Sequence, residues 1–101
     1  MVDYSNINEK NMKIELNKIG TILTSRPSGK DAWLTMKAYV LPNFKEESIE
    51  IDFTGIQVIT PGWLDEFLTP LKTMFPNKVK YLPYNNASVK ASLEILESQH
   101  Q

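Results

Sequence analysis

Between Ser48 and Phe75 the sequence SIEIDFTGIQVITPGWLDEFLTPLKTMF changes its apolar period once, from two to 3.6, and that change constrains the fold more than any other feature. Ile49, Ile51 and Phe53 alternate with Glu50 and Asp52, the pattern of a strand buried on one face. Leu64, Phe67, Leu68, Leu71 and Phe75 then recur at the three- and four-residue intervals of one helix face. A strand that feeds a helix through a brief loop is half of a βαβ unit, which implies parallel strands and right-handed crossovers.

The same periods, carried along the chain, predict a strand over 12–16, where Met12, Ile14 and Leu16 alternate with Lys13, Glu15 and Asn17. Residues 21–25 read as a short second strand or an irregular link, and 25–29 as a loop. A helix follows over 30–41 with Trp33, Met36, Ala38 and Val40 mostly inward, ended by Pro42 and Asn43. After a charged loop at 45–47 and the central unit come a strand over 79–82, closed by Pro83, and a final helix capped by Asn85 or Asn86. That helix buries Val89, Leu93 and Leu96, with Ile95 at the edge of its stripe, and frays over 98–101. The expected class is α/β in the order β(β)αβαβα, with a mixed or mostly parallel sheet. Alternating strands place the helices mainly on one face, because strands covered on both sides read as continuous apolar runs. Pro70, inside the apolar period of its helix, predicts a kink or a break.

The chain has 101 residues, enough for one hydrophobic core, so a flexible lead-in over 1–10 and a single domain over 11–98 are expected. A net charge of -1 provides no field to draw in nucleic acid or an anionic membrane. With no cysteine, disulfides and thiolate chemistry are excluded, and the sole histidine, His100, leaves no basis for a His triad or a multi-histidine metal site. A polar start without a signal-like apolar run, and no segment of membrane-spanning length, give a soluble, cytoplasmic protein as the expectation.

Two helix starts are candidate sites. At the first, Thr60 reads as an N-cap, Pro61 as the first helical residue and Gly62 as part of the turn, with Asp65 and Glu66 near the positive end of the helix dipole. Trp63 falls off the main stripe, so it either projects as an interface anchor or folds back into the core. The turn is a well-made helix start and nothing more, or it is a partner-binding tip composed of Thr60, Pro61, Gly62, Trp63, Asp65 and Glu66. At the second, Arg26, Ser28 and Lys30 surround a glycine in a basic loop that could hold a phosphate or nucleotide. That loop lacks P-loop spacing and serves equally as a capping arrangement. No nucleophile and base can be paired, so no enzyme activity, cofactor or metal is expected.

IEIDFTGIQVITPGWLDEFLTPL and ILTSRPSG together resemble the STAS-like domain family of unknown function, relatives of the bacterial anti-sigma factor antagonists, over about residues 12–97. The resemblance implies a small noncatalytic regulatory module that binds a protein partner, a switch-type kinase or ATPase, through Thr60–Glu66 and the helix that follows. The better-known antagonists carry Asp-Ser-Ser-Gly at this turn, with a serine as phosphoacceptor. Here the four positions hold Thr60, Pro61, Gly62 and Trp63, so that serine is missing and Thr60 becomes the possible phosphoacceptor.

Overall fold

The computed structural model describes residues 11–41 and 48–99. The expected lead-in at 1–10, the stop at Pro42 and Asn43, the charged loop at 45–47 and His100 lie outside them. The elements are β1 (Asn11–Glu15), β2 (Ile22–Leu23), α1 (Arg26–Tyr39), β3 (Ser48–Asp52), β4 (Val58–Ile59), α2 (Pro61–Met74), β5 (Val79–Tyr81) and α3 (Ala87–Gln99), with a 3₁₀ turn at Leu16–Lys18.

Among the described residues all strand pairing is parallel. One sheet has the order β1-β3-β5 and a second, two-stranded sheet pairs β2 with β4. The main order advances in one direction, so right-handed crossovers deliver α1 and α2 to the same face. Register carries the alternation across strands. Ile14, Ile51 and Tyr81 share one row toward the helices, while Lys13, Glu50 and Lys80 share a row on the opposite, solvated face. Ile49 and Ile51 are fully buried, each worth about 1.5–3 kcal/mol relative to exposure.

Three sequence expectations need correction. First, Val58–Ile59 is a strand, β4, that the sequence reading missed; two residues are too few to show a period. Second, α1 begins at Arg26 rather than Lys30, so the expected loop at 25–29 is Ser25 as cap followed by the first helical turn. Pro27 sits where a helix has no use for its N–H, which makes a proline there compatible with a start. Gly29 and Trp33 are the buried residues of α1, Met36 packs at the core's edge, and Ala38 and Val40 face outward. Third, α2 runs through Pro70 without a break. Trp63, Leu64, Phe67, Leu68 and Leu71 are buried on both sides of the proline, which offsets the roughly 3 kcal/mol cost of an interior proline.

Helix α3 keeps its expected cap: Asn86 Oδ1 accepts the Val89 N–H at 3.0 Å, and Asn86 Nδ2 donates to the Ile56 carbonyl at 2.8 Å. Its buried face is Val89, Ser92, Leu93 and Leu96, while Ile95 is exposed and Ser98 and Gln99 remain helical rather than frayed. Ser88 and Ser92 seal the edge of β4. The Ser88 hydroxyl accepts the Ile59 N–H at 3.0 Å, and both hydroxyls donate to the Ile59 carbonyl, at 2.9 and 2.7 Å. Among the described residues, no helix is long and apolar enough to cross a membrane.

Candidate functional site

The small sheet aims two helices at one tip. β2 leads through Thr24 and Ser25 into α1, β4 leads through Thr60 into α2, and the Thr60 N–H donates to the Leu23 carbonyl at 3.0 Å, tying the two exits together. The helices start side by side and pack closely. A Cβ on Gly29 would stand 2.4 Å from the Trp63 carbonyl oxygen, so only a glycine lets the α1 backbone approach α2 here.

That close approach decides the fate of Trp63. The indole is 0% exposed, stacked on Phe67 with ring centroids 5.1 Å apart, and its N–H donates to Ser28 Oγ at 3.3 Å. The reading of Trp63 as a projecting anchor is therefore overturned. It is core, because α2 is flanked by α1 on one side and α3 on the other, which widens its buried arc beyond the stripe that faces the sheet.

The remaining residues of the tip stay accessible. Thr60, Pro61, Gly62, Asp65 and Glu66 are all half-buried. Thr60 Oγ1 accepts the Trp63 N–H at 3.4 Å as the N-cap. Arg26, extended across Gly62, donates through Nη1 to Asp65 Oδ2 at 2.7 Å and to Glu66 Oε2 at 3.1 Å. Asp65 Oδ1 also accepts the Thr69 hydroxyl at 2.7 Å. Bonding to Asp65 first and Glu66 second raises the Arg26 pKa above its ordinary value, so the guanidinium is firmly charged.

The phosphate cradle expected at Arg26, Ser28 and Lys30 is not assembled. Arg26 is held by two carboxylates, Ser28 Oγ takes the indole N–H, and Lys30 is exposed on the helix. Two backbone donors are committed as well, the Ser28 N–H to Ser25 Oγ at 3.3 Å and the Gly29 N–H to the Ser25 carbonyl, and Pro27 has none. Sequence reasoning placed Arg26 with an anion and missed its true partners. Complementary charge was the available signal, but nothing in the sequence revealed that β2 and β4 pair and bring residues 26 and 65 together.

Asp52 and Tyr81 are perturbed as well. Asp52, at the end of β3, accepts the Thr54 hydroxyl at 2.6 Å and the Thr54 N–H at 2.9 Å, which lowers its pKa, with Lys13 adding to the effect. Burial raises the Tyr81 phenol. Each shift holds the group in its usual state at neutral pH. A cleft of about 220 Å³ at the carboxyl ends of β3 and β5 is lined in part by Phe53, Tyr84 and Asn85; it contains no charged side chain and shares no residue with the tip.

The family model for the STAS-like domain of unknown function (DUF4325) matches residues 37–88, just over half of the chain. The matched span runs from the end of α1 to the start of α3 and includes the α2 side of the tip, with Arg26 outside it. No curated protein and no solved structure matches.

Proposed function

This chain belongs to the family of STAS-like domains of unknown function, and from that premise we propose that it is a noncatalytic regulatory module that binds a protein partner through the tip of α2. The observation that carries the reading is the Arg26–Asp65–Glu66 cluster: three charged side chains held at a close-packed helix crossing, partly open to solvent, without being aimed into a cleft. A cluster of this kind presents a fixed pattern of charge, and fixed patterns favour specificity and encounter rate at interfaces. The contact surface is Thr60, Pro61, Gly62, Asp65 and Glu66, joined by Arg26. Trp63 supports it from beneath as the residue that sets the crossing.

The noncatalytic reading is supported by the bonding of the tip: its charged groups, Arg26, Asp65 and Glu66, hold one another rather than a nucleophile. The resemblance to anti-sigma factor antagonists supports a switch-type kinase or ATPase as partner. It also supports Thr60 as a phosphoacceptor: a phosphate there would gain the favourable field of the helix N-terminus, repel Asp65 and Glu66, and compete with them for Arg26.

Affinity capture from the native cell tests the surface. Glu66→Lys reverses one charge of the tip, and Glu50→Lys reverses one on the open sheet face as a control. A partner lost with Glu66→Lys and kept with Glu50→Lys supports the tip. Retention of every captured protein by Glu66→Lys overturns it.

A further inference from the structure

Strand edges are where a sheet can recruit another chain, and the edges here are finished differently. The free side of β4 is sealed by Ser88 and Ser92, and β2 is only two residues long. β1 is a five-residue strand at the end of the main sheet, with β3 as its one neighbour in the described sheet order. Along that edge runs a groove of about 380 Å³ whose apolar lining is Met12, Ile14, Ile19, Met36 and Val40, rimmed by Lys13, Glu15 and Lys18, and it joins a second of about 420 Å³ that shares Lys18, Ile19, Met36 and Val40. Ile19 and Val40 are 42% and 40% exposed.

We infer that β1 pairs antiparallel with β1 of a second copy of this chain, making a two-fold dimer whose main sheet has six strands. This inference stands on a surface separate from the proposed partner tip and does not depend on that reading. Register is the argument for a second copy. A slip of one residue would turn Ile14 out to solvent, so the buried face of each strand must meet the buried face of the other. Of the registers that satisfy this, the one centred on Lys13 sets Lys13 against itself. The one centred on Ile14 sets Lys13 of each copy opposite Glu15 of the other, twice, and places the two Ile14 side chains together on the axis.

The groups needed for this are accessible. Lys13 pairs with Asp52 at 3.6 Å and Glu15 with Lys18 at 3.4 Å, with the Lys13 side chain 52% and the Glu15 side chain 38% exposed. A two-fold axis normal to the sheet keeps both helix layers on one side, so α1 of one copy faces α1 of the other. Ile19, Met36 and Val40 then meet their own copies, which is the self-complementarity an isologous interface requires.

Sedimentation equilibrium on the full chain over a concentration series tests the dimer, with circular dichroism confirming folding. Wild type should move from 11.6 kDa toward twice that mass as concentration rises. Lys13→Glu and Glu15→Lys should each weaken self-association by about tenfold or more, since each puts like charges opposite one another. An equimolar mixture of the two variants should regain it, because the mixed pair restores opposite charges at both contacts. Val40→Glu, on the helix side of the groove, should show the same loss as the single strand variants and stands in for either that does not fold. A wild type that stays monomeric to about 1 mM overturns the inference and leaves the groove to another protein's strand. Variants that dimerise as wild type does, or a mixture that gains nothing, overturn it equally.

Discussion

The starts of α1 and α2 are built from similar parts and come out differently. Each leaves a two-residue parallel strand through a hydroxyl cap with a proline in the first helical turn, yet Thr60 has relaxed extended backbone (φ −106, ψ 155) while Ser25 is at φ 76, ψ 143. The α1 exit carries one residue more between strand and cap, Thr24, and the positive φ is where that extra length is turned in. The two also differ in what they do with their side chains. Thr60 caps its own helix, whereas α1 extends Arg26 and Ser28 across to α2, one to the carboxylates and one to the indole. One helix start therefore presents the tip, and the other supports it at the cost of local strain.

The two glycines near these starts give the largest expected contrast. A Cβ on Gly29 meets backbone atoms of Trp63, at 2.4 Å from the oxygen and 3.0 Å from the carbonyl carbon and Cα. Backbone cannot step aside, so Gly29→Ala should force the helices apart and lower unfolding free energy by about 3 kcal/mol, despite alanine's better helix propensity. A Cβ on Gly62 meets Arg26 Cγ at 3.0 Å, part of a flexible arm. Gly62→Ala should fall within about 0.5 kcal/mol of wild type, the propensity gain offsetting the displaced side chain. Urea unfolding of both variants decides it, and equal costs would mean that the crossing is not set at Gly29.

The caps should respond in opposite directions. Strain of the Ser25 kind costs of order 1–3 kcal/mol, and glycine adopts that backbone freely. Ser25→Gly gives up a long 3.3 Å cap bond and some unfolded-state entropy, so a net gain of about 0.5–1 kcal/mol is expected. Thr60→Ala has no strain to release and should lose about 1 kcal/mol. A loss at both positions would show that the Ser25 backbone is held without strain.

These contrasts also mark where the sequence was legible. The Ile49/Ile51 alternation and the Leu64/Phe67/Leu68/Leu71 stripe correctly indicated parallel strands with helices on one side, because burial on one face imposes a period long enough to read. β4 escaped because a two-residue strand has no period, and with it went the pairing that brings Arg26 to Asp65. Trp63 stays open between anchor and core in the sequence for a related reason. It lies about 40° outside the stripe facing the sheet, counting 100° per residue, and only a second helix crossing at Gly29 could bury it. The sequence shows Gly29, but a glycine in a Ser-Pro-rich stretch reads as a loop before it reads as a helix contact. By composition Ser25–Gly29 reads as a loop, whereas the cap-and-proline logic that places the start of α2 places the start of α1 as well.

The smallest expected effect separates charge from packing in the arm of Arg26. Because the folded pKa of Arg26 is raised, its contribution is fully present below the ordinary arginine value and is lost only as pH rises through the still higher folded value, so no alkaline transition arises from the tip in the neutral range. The two carboxylates hold the arm unequally. Asp65 holds the guanidinium at 2.7 Å with its side chain 22% exposed, and Glu66 at 3.1 Å with 32%. Asp65→Asn, which keeps an acceptor for the Thr69 hydroxyl, should therefore lower stability more than Glu66→Gln, and both by less than Thr60→Ala, as expected for exposed ion pairs. Thermal melts at low salt and at about 1 M, where the Debye length falls to about 3 Å, complete the comparison. If the two variants and wild type converge in high salt, Arg26 acts through its charge. If the gap persists undiminished, the arm matters for the way it covers Gly62, and the tip would be held by packing on the α2 side as it is on the α1 side.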